Sequence, residues 1–160
     1  MNQLHAHEIA EKPDSGEVQQ LVLFIINDTV FGVDILLVHE IIRAASLTSV
    51  PNAPDYVEGL AKLRGNIFPL IDFRKKLHLL DKEPGTNDRV IIVLDIHGML
   101  TGISVDTVTS VLKVHPDSIK TDTEQALPSI EPYYIAGTCS IGETLIVLPD
   151  FNRIFPGNDK

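Results

Sequence analysis

From position 18 onward the chain runs in short apolar bursts separated by turn residues. Residues 18–26 are β-branched, aliphatic and aromatic, Asn27-Asp28-Thr29 carries turn chemistry, and residues 30–35 form a second extended run. This pattern predicts a β-hairpin. Pro51, Pro54 and Asp55 then break the chain, and residues 55–63 have the caps and spacing of a short helix at most. Residues 67–71 predict a strand. Pro69 within it cannot donate to a ladder, so an edge strand or a bulge is expected. Residues 72–79 predict a short amphipathic helix, and residues 81–88, with Pro84-Gly85 at their centre, a surface loop. The hairpin pattern then returns: a strand over 90–96, a turn at His97-Gly98 and a mate over 100–105. The first seventeen residues are polar and predict a flexible tail, with a shorter one over 157–160.

The recurrence is more than a likeness of apolar pattern. A slide of 70 residues places Gly32 on Gly102, Val33 on Ile103, Val38 on Val108, Ile41 on Val111 and Arg43 on Lys113. A slide of 78 residues places Pro54 on Pro132, Tyr56 on Tyr134, Gly59 on Gly137, Asp72 on Asp150 and Phe73 on Phe151. Matches in Gly, Pro, Tyr, Asp and Phe point to two copies of one small β unit, with an eight-residue insertion between them. The expected fold is all-β: two small five-stranded β-barrel subdomains packed around a shared apolar core, with short helices only. Small β units suppress exposed edges by closing, and two thin cores gain by packing together. Approximate boundaries are 18–83 and 88–156 within one domain over 18–156, with strand exchange between the halves left open.

Composition narrows the function. The 160 residues are 44% hydrophobic and 22% charged, which is globular. No apolar run approaches the ~20 residues that span a bilayer, and residues 1–17 lack the pattern of a signal peptide. The single cysteine, Cys139, excludes an internal disulfide and fits a reducing cytoplasm. Thirteen basic against twenty-two acidic residues give a net charge of −9, which argues against a phosphate-backbone partner.

Candidate chemistry is sparse. No phosphate-cradling glycine loop and no nucleophile elbow is present. His5, His7 and Glu8 have a ligand-like spacing but lie in the tail, and no metal or cofactor is expected. His39 lies inside an apolar run, where a structurally satisfied histidine is expected. Cys139 has no neighbouring base in sequence and reads as a buried small hydrophobe, although a small β-barrel hydrolase using Cys139 or a carboxylate pair stands as the alternative. Asp72 and Asp150 occupy equivalent places in the two copies, and each is expected to cap the element after its strand. Charge is uneven. Lys62, Arg64, Arg74, Lys75 and Lys76 cluster in the first copy, and Asp117, Asp122, Glu124, Glu131, Glu143 and Asp150 dominate the second. Such poles suit the steering of protein partners, with Lys62 and Arg74 as interface candidates.

The run Gly59-Leu60-Ala61-Lys62-Leu63-Arg64-Gly65-Asn66-Ile67-Phe68-Pro69-Leu70-Ile71-Asp72-Phe73-Arg74 resembles the signature of the CheW family, adaptors of bacterial chemosensory arrays. Phe31-Gly32-Val33-Asp34-Ile35, Val38-His39-Glu40-Ile41-Ile42, Pro51-Asn52-Ala53-Pro54 and Gly102-Ile103-Ser104-Val105-Asp106 fit the same family in order, over about residues 18–155. The resemblance implies a non-catalytic protein that bridges the tips of methyl-accepting receptors to the regulatory domain of the histidine kinase CheA, and that can meet other copies of itself. It implies a cytoplasmic protein recruited to membrane-associated arrays, without membrane insertion. Carried over by position, Val38 and Glu40 match the receptor-facing strand and Arg64 the arginine of the Leu-Arg-Gly motif; a Glu40–Arg64 pair shaping the receptor groove is expected. Lys62 stands where the family commonly has Asn. No receiver domain is expected after residue 156, so the fused CheV arrangement is not, and neither is a kinase or phosphotransfer segment.

Overall fold

The structure, a computed structural model, describes residues 18–79, 89–121 and 129–156. The two tails, the loop over 81–88, and Asp122 and Glu124 lie outside the described residues. Eleven strands occur among those described, in chain order β1 Gln19–Ile26, β2 Thr29–Asp34, β3 Val38–Ile42, β4 Ser46–Thr48, β5 Val57–Leu63, β6 Asn66–Asp72, β7 Val90–Ile96, β8 Met99–Val105, β9 Thr107–Val114, β10 Ile135–Ile141 and β11 Thr144–Pro149. Phe73–Lys76 and Phe151–Ile154 are one-turn helices. No helix among the described residues is long and apolar enough to cross a membrane.

The expected hairpins form around tight turns. Asn27 and Asp28 both take positive φ (51° and 72°), as do His97 and Gly98 (57° and 79°), which matches the right-handed twist of the flanking strands. Two local expectations are corrected. Residues 57–63 form strand β5, not a helix: Gly59, Ala61 and Leu63 alternate with exposed positions, and pairing to β4 and β6 decides the conformation. Strand β6 is internal, between β5 and β8. Pro69 is tolerated there because the parallel ladder to β8 begins one residue later, at Leu70–Gly102.

Strand exchange decides the architecture. One sheet has the order β10-β11-β2-β1-β9 and the other β3-β7-β8-β6-β5-β4. The hairpin β1–β2 of the first copy lies in the sheet otherwise built by the second, and β7–β8 lies in the sheet otherwise built by the first. The sheets are open rather than closed barrels, since no ladder joins β3 to β5 or β9 to β10. The chain itself crosses each gap. β3 leads into β4, which pairs with β5, and β9 leads to Lys120, which bridges Thr138 on β10.

The repeat extends to irregularities. The ladder β3·β7 shifts register at His39 and β1·β9 at Thr109, 70 residues apart. The ladder β5·β6 shifts at Glu58 and β10·β11 at Ala136, 78 apart. Gly59 and Gly137 have the same reason to be glycine. A Cβ on the first would lie 2.7 Å from the Thr48 carbonyl oxygen, and on the second 2.8 Å from that of Lys120.

Both faces of the central hairpins are apolar, and alternation sends the two sets to different cores. Val22, Phe24 and Ile26, with Val90, Ile92, Leu94 and Ile96, enter the large core between the sheets. Leu21 joins Val114, Cys139, Ile146 and Leu148 in a small core inside the five-stranded sheet. Ile91 and Val93 join Ala61, Phe68 and Leu70 in its counterpart inside the six-stranded sheet. Phe73 and Phe151, equivalent in the repeat, stack on each other at 5.6 Å and 20°, on the axis relating the two halves.

Candidate functional site

The most distinctive surface lies where the six-stranded sheet is left open. Strand β3 forms one edge, and its bulge at His39 sets Glu40 opposite Val93. The β5–β6 turn reaches across to that edge. Leu63 pairs with Asn66, leaving Arg64-Gly65 as a two-residue turn with φ of 53° and 85°. Gly65 is at ease there, whereas a left-handed arginine costs about 1 kcal/mol. The conformation directs the side chain at β3, and Arg64 Nη1 donates to Glu40 Oε2 at 2.5 Å. The arginine side chain is 70% exposed and the carboxylate 20%. The pair joins two strands that no ladder connects, and its guanidinium is open to solvent.

Val38, on the same strand, is half-buried and packs against the core between the sheets, so it supports the edge from below. Leu36, in the 3-10 turn Ile35–Leu37 just before it, is 86% exposed. Its exposure depends on the crossing from one sheet to the other, which hydropathy along the chain does not reveal, and the sequence pattern did not single it out. His39 is exposed rather than enclosed. Lys62 is exposed on β5, paired with Ile67, itself 65% exposed.

The basic cluster is smaller than its residue count suggests. Arg74 is turned inward, with a side chain 16% exposed. Its Nε donates to Asn27 Oδ1 at 3.1 Å, and its Nη2 pairs with Asp106, which also accepts from the Asn27 N–H at 3.0 Å. Arg74 is thereby occupied in stitching the β1–β2 turn to the β8–β9 crossing, and a surface role based on charge loses its footing. Lys76 lies 4.3 Å from the centre of the Tyr56 ring.

The repeated aspartates are caps. Asp72 accepts from the N–H groups of Arg74 and Lys75, and Asp150 from that of Arg153. Their own N–H groups donate to Tyr56 and Tyr134 carbonyls at 2.8 and 2.9 Å. Among the described residues, Glu58 and Asp72 are two carboxylates that share one partner. Arg89 lies between them, 2.6 Å from Glu58 and 3.4 Å from Asp72, and Ser104 Oγ donates to Glu58 at 2.6 Å. A guanidinium and a capping duty occupy both acids, which is the chemistry of a structural ion cluster. No spacing signal in the sequence links 58, 72, 89 and 104. Cys139 is 1% exposed, and burial pushes its thiol pKa up, away from the thiolate a nucleophile requires. Among the described residues no group of three His, Cys, Asp or Glu side chains could hold a metal ion.

The fold is thus a pair of bulged β-sheets that exchange hairpins between two repeated halves, with an exposed ion pair across one open edge. Residues 20–158 match the model of the CheW-like domain, and the chain belongs to this family of chemotaxis adaptors. It is 32% identical over 142 residues to the chemotaxis protein CheW of Rhizobium meliloti, covering 89% of this chain and 90% of that one. It is 28% identical over 148 residues to CheW of Treponema pallidum, covering 91% and 86%. The crystal structure of the scaffolding protein TtCheW from Thermoanaerobacter tengcongensis superposes with a TM-score of 0.78 at 28% identity, covering 90% of this chain and 92% of that one.

Proposed function

We propose that this protein couples methyl-accepting chemoreceptors to the regulatory domain of the histidine kinase CheA, and that the open edge of the six-stranded sheet is where the receptor tip docks. The observation that carries the assignment is the Arg64–Glu40 pair, held on a left-handed turn and a bulged edge with its guanidinium exposed. An exposed ion pair adds little to stability, about 0.2–1 kcal/mol, so a guanidinium held open to solvent at an unladdered edge is better suited to meeting a partner than to holding the fold. Leu36 supplies an apolar contact beside the edge, and Lys62 with Ile67 extends the surface along the β5–β6 hairpin. Coupling proceeds by differential binding: receptor states that hold the adaptor differently change how it holds the kinase. The protein works in the cytoplasm and joins the membrane-associated array through its partners.

Calorimetric titration with a receptor-tip fragment and with the regulatory domain of CheA from the same cell tests this. Saturable binding to both is expected, and Arg64→Ala is expected to weaken the receptor tip by about tenfold, the ~1.4 kcal/mol of a charge-assisted contact, with its urea midpoint little changed. No heat with either partner, or an Arg64→Ala protein that binds the tip as tightly as the original, overturns the proposal.

A further inference from the structure

The division of strands between the sheets bears on self-association. Of the nine strand ladders among the described residues, four join the halves: β1·β9, β2·β11, β3·β7 and β6·β8. The other five lie within one half. Each half thus gives a hairpin away and accepts the equivalent one in return. The shared core is built the same way, with Phe73 of one half stacked on Phe151 of the other. The chain has the form of a two-fold dimer of halves joined by one connection, residues 80–88.

We infer that a second copy of this chain can take the place of either half, giving a domain-swapped dimer in which residues 18–79 of each copy pair with residues 89–156 of the other. Among the described residues the exchange creates no new surface: all four ladders and the Phe73–Phe151 stack re-form twice. Glu40 and Arg64 belong to the same half, so each unit of the dimer keeps its ion pair. The product carries two complete recognition edges on one particle, which raises avidity for clustered partners without any added contact. Exchange requires four ladders to open together, so it is slow in the native protein and populated on folding at high concentration. The inference concerns the chain alone and stands whether or not the receptor assignment does.

Gln20 on β1 lies opposite Lys113 on β9, one residue from each half. Directly opposed residues on antiparallel strands have Cα atoms about 4.5–5.5 Å apart, within reach of a disulfide. The full chain carrying Gln20→Cys, Lys113→Cys and Cys139→Ala is refolded from urea at low and at high concentration, sized by light scattering and then oxidised. The expected result is a species of twice the monomer mass, enriched at high concentration, whose chains run as a covalent dimer on a non-reducing denaturing gel. The monomer fraction from the same refolding closes its bond within one chain and runs as a monomer. Dimers whose oxidised chains run as monomers are side-by-side pairs and overturn the inference, as does a monomer at every concentration.

Discussion

Replacing Phe73 by alanine removes the ring at the centre of the molecule. Phe73 is fully buried and contacts four other rings. It stacks on Phe151 at 5.6 Å, meets Phe24 at 6.1 Å and Phe155 at 6.3 Å, and approaches Phe31 edge-on at 6.4 Å. Truncating a buried Phe costs about 3–5 kcal/mol, and each aromatic pair adds about 0.5–1.5 kcal/mol beyond buried area. With four ring partners, Phe73→Ala belongs at the upper end, about 5 kcal/mol. Phe151 is the symmetric counterpart but is 5% exposed, and among the described residues its ring contact is Phe73 alone, so Phe151→Ala is expected near 3 kcal/mol. In a domain of this size a loss of 5 kcal/mol lowers Tm by about 10–20 °C and takes a large share of the ~5–15 kcal/mol total. Urea unfolding followed by circular dichroism suits a chain with no tryptophan. The double variant closes a cycle in which the two costs should fall short of additivity by about 0.5–1.5 kcal/mol. A Phe73→Ala cost no greater than that of Phe151→Ala, or full additivity, would refute the reasoning.

Three further outcomes concern single positions. Gly137→Ala and Gly59→Ala should each destabilise by about 1–3 kcal/mol in thermal melts, because the new methyl meets a backbone carbonyl that cannot swing aside; unchanged melting would remove the steric account. Asp72→Ala should cost more than Asp150→Ala, against a usual cap value of about 0.5–2 kcal/mol, because Asp72 serves two N–H groups and meets Arg89 at a nearly buried site, whereas Asp150 serves one and meets Arg153 at a more exposed one; equal losses in urea would refute this ranking. For Cys139, burial raises the folded thiol pKa above its ordinary value of 9.0. The folded state therefore holds more protons than the unfolded one above that pH. The thiol's contribution to stability is intact below 9.0 and is lost as pH rises toward the folded value. Urea midpoints taken either side of 9.0 should fall more steeply for the original than for Cys139→Ala, and parallel slopes would show the thiol to be uninvolved.

Much of the fold was legible because the repeat preserved residues with a single structural use. Gly59 and Gly137 mark the same close backbone approach, Asp72 and Asp150 the same cap, Phe73 and Phe151 the same axis. The turns at 27–28 and 97–98 were legible from their side chains alone. Residues 55–63 misled because their spacing suits a helix, and only β4 and β6 beside them impose extension. Arg74 misled because charge in sequence carries no direction, and Asp106, 32 residues away, turns it inward. The assignment of strands to sheets was not readable, since equivalent hairpins fit either sheet by pattern and only the ladders to the other half decide: β1 to β9, β2 to β11, β7 to β3 and β8 to β6.

The exchanged hairpins also set a timetable for synthesis. β1 and β2 leave the ribosome early, yet their partners in the sheet, β9 and β11, are encoded about 80–110 residues later. At about 5–20 residues per second the first hairpin waits from several seconds to some twenty, with apolar side chains on both faces. The five-stranded sheet cannot grow beyond this hairpin until β9 is made and cannot finish until almost the whole chain is out. A stalled or truncated nascent chain therefore exposes a sticky, unpaired hairpin, and such fragments should be prime clients for chaperones that bind apolar strands.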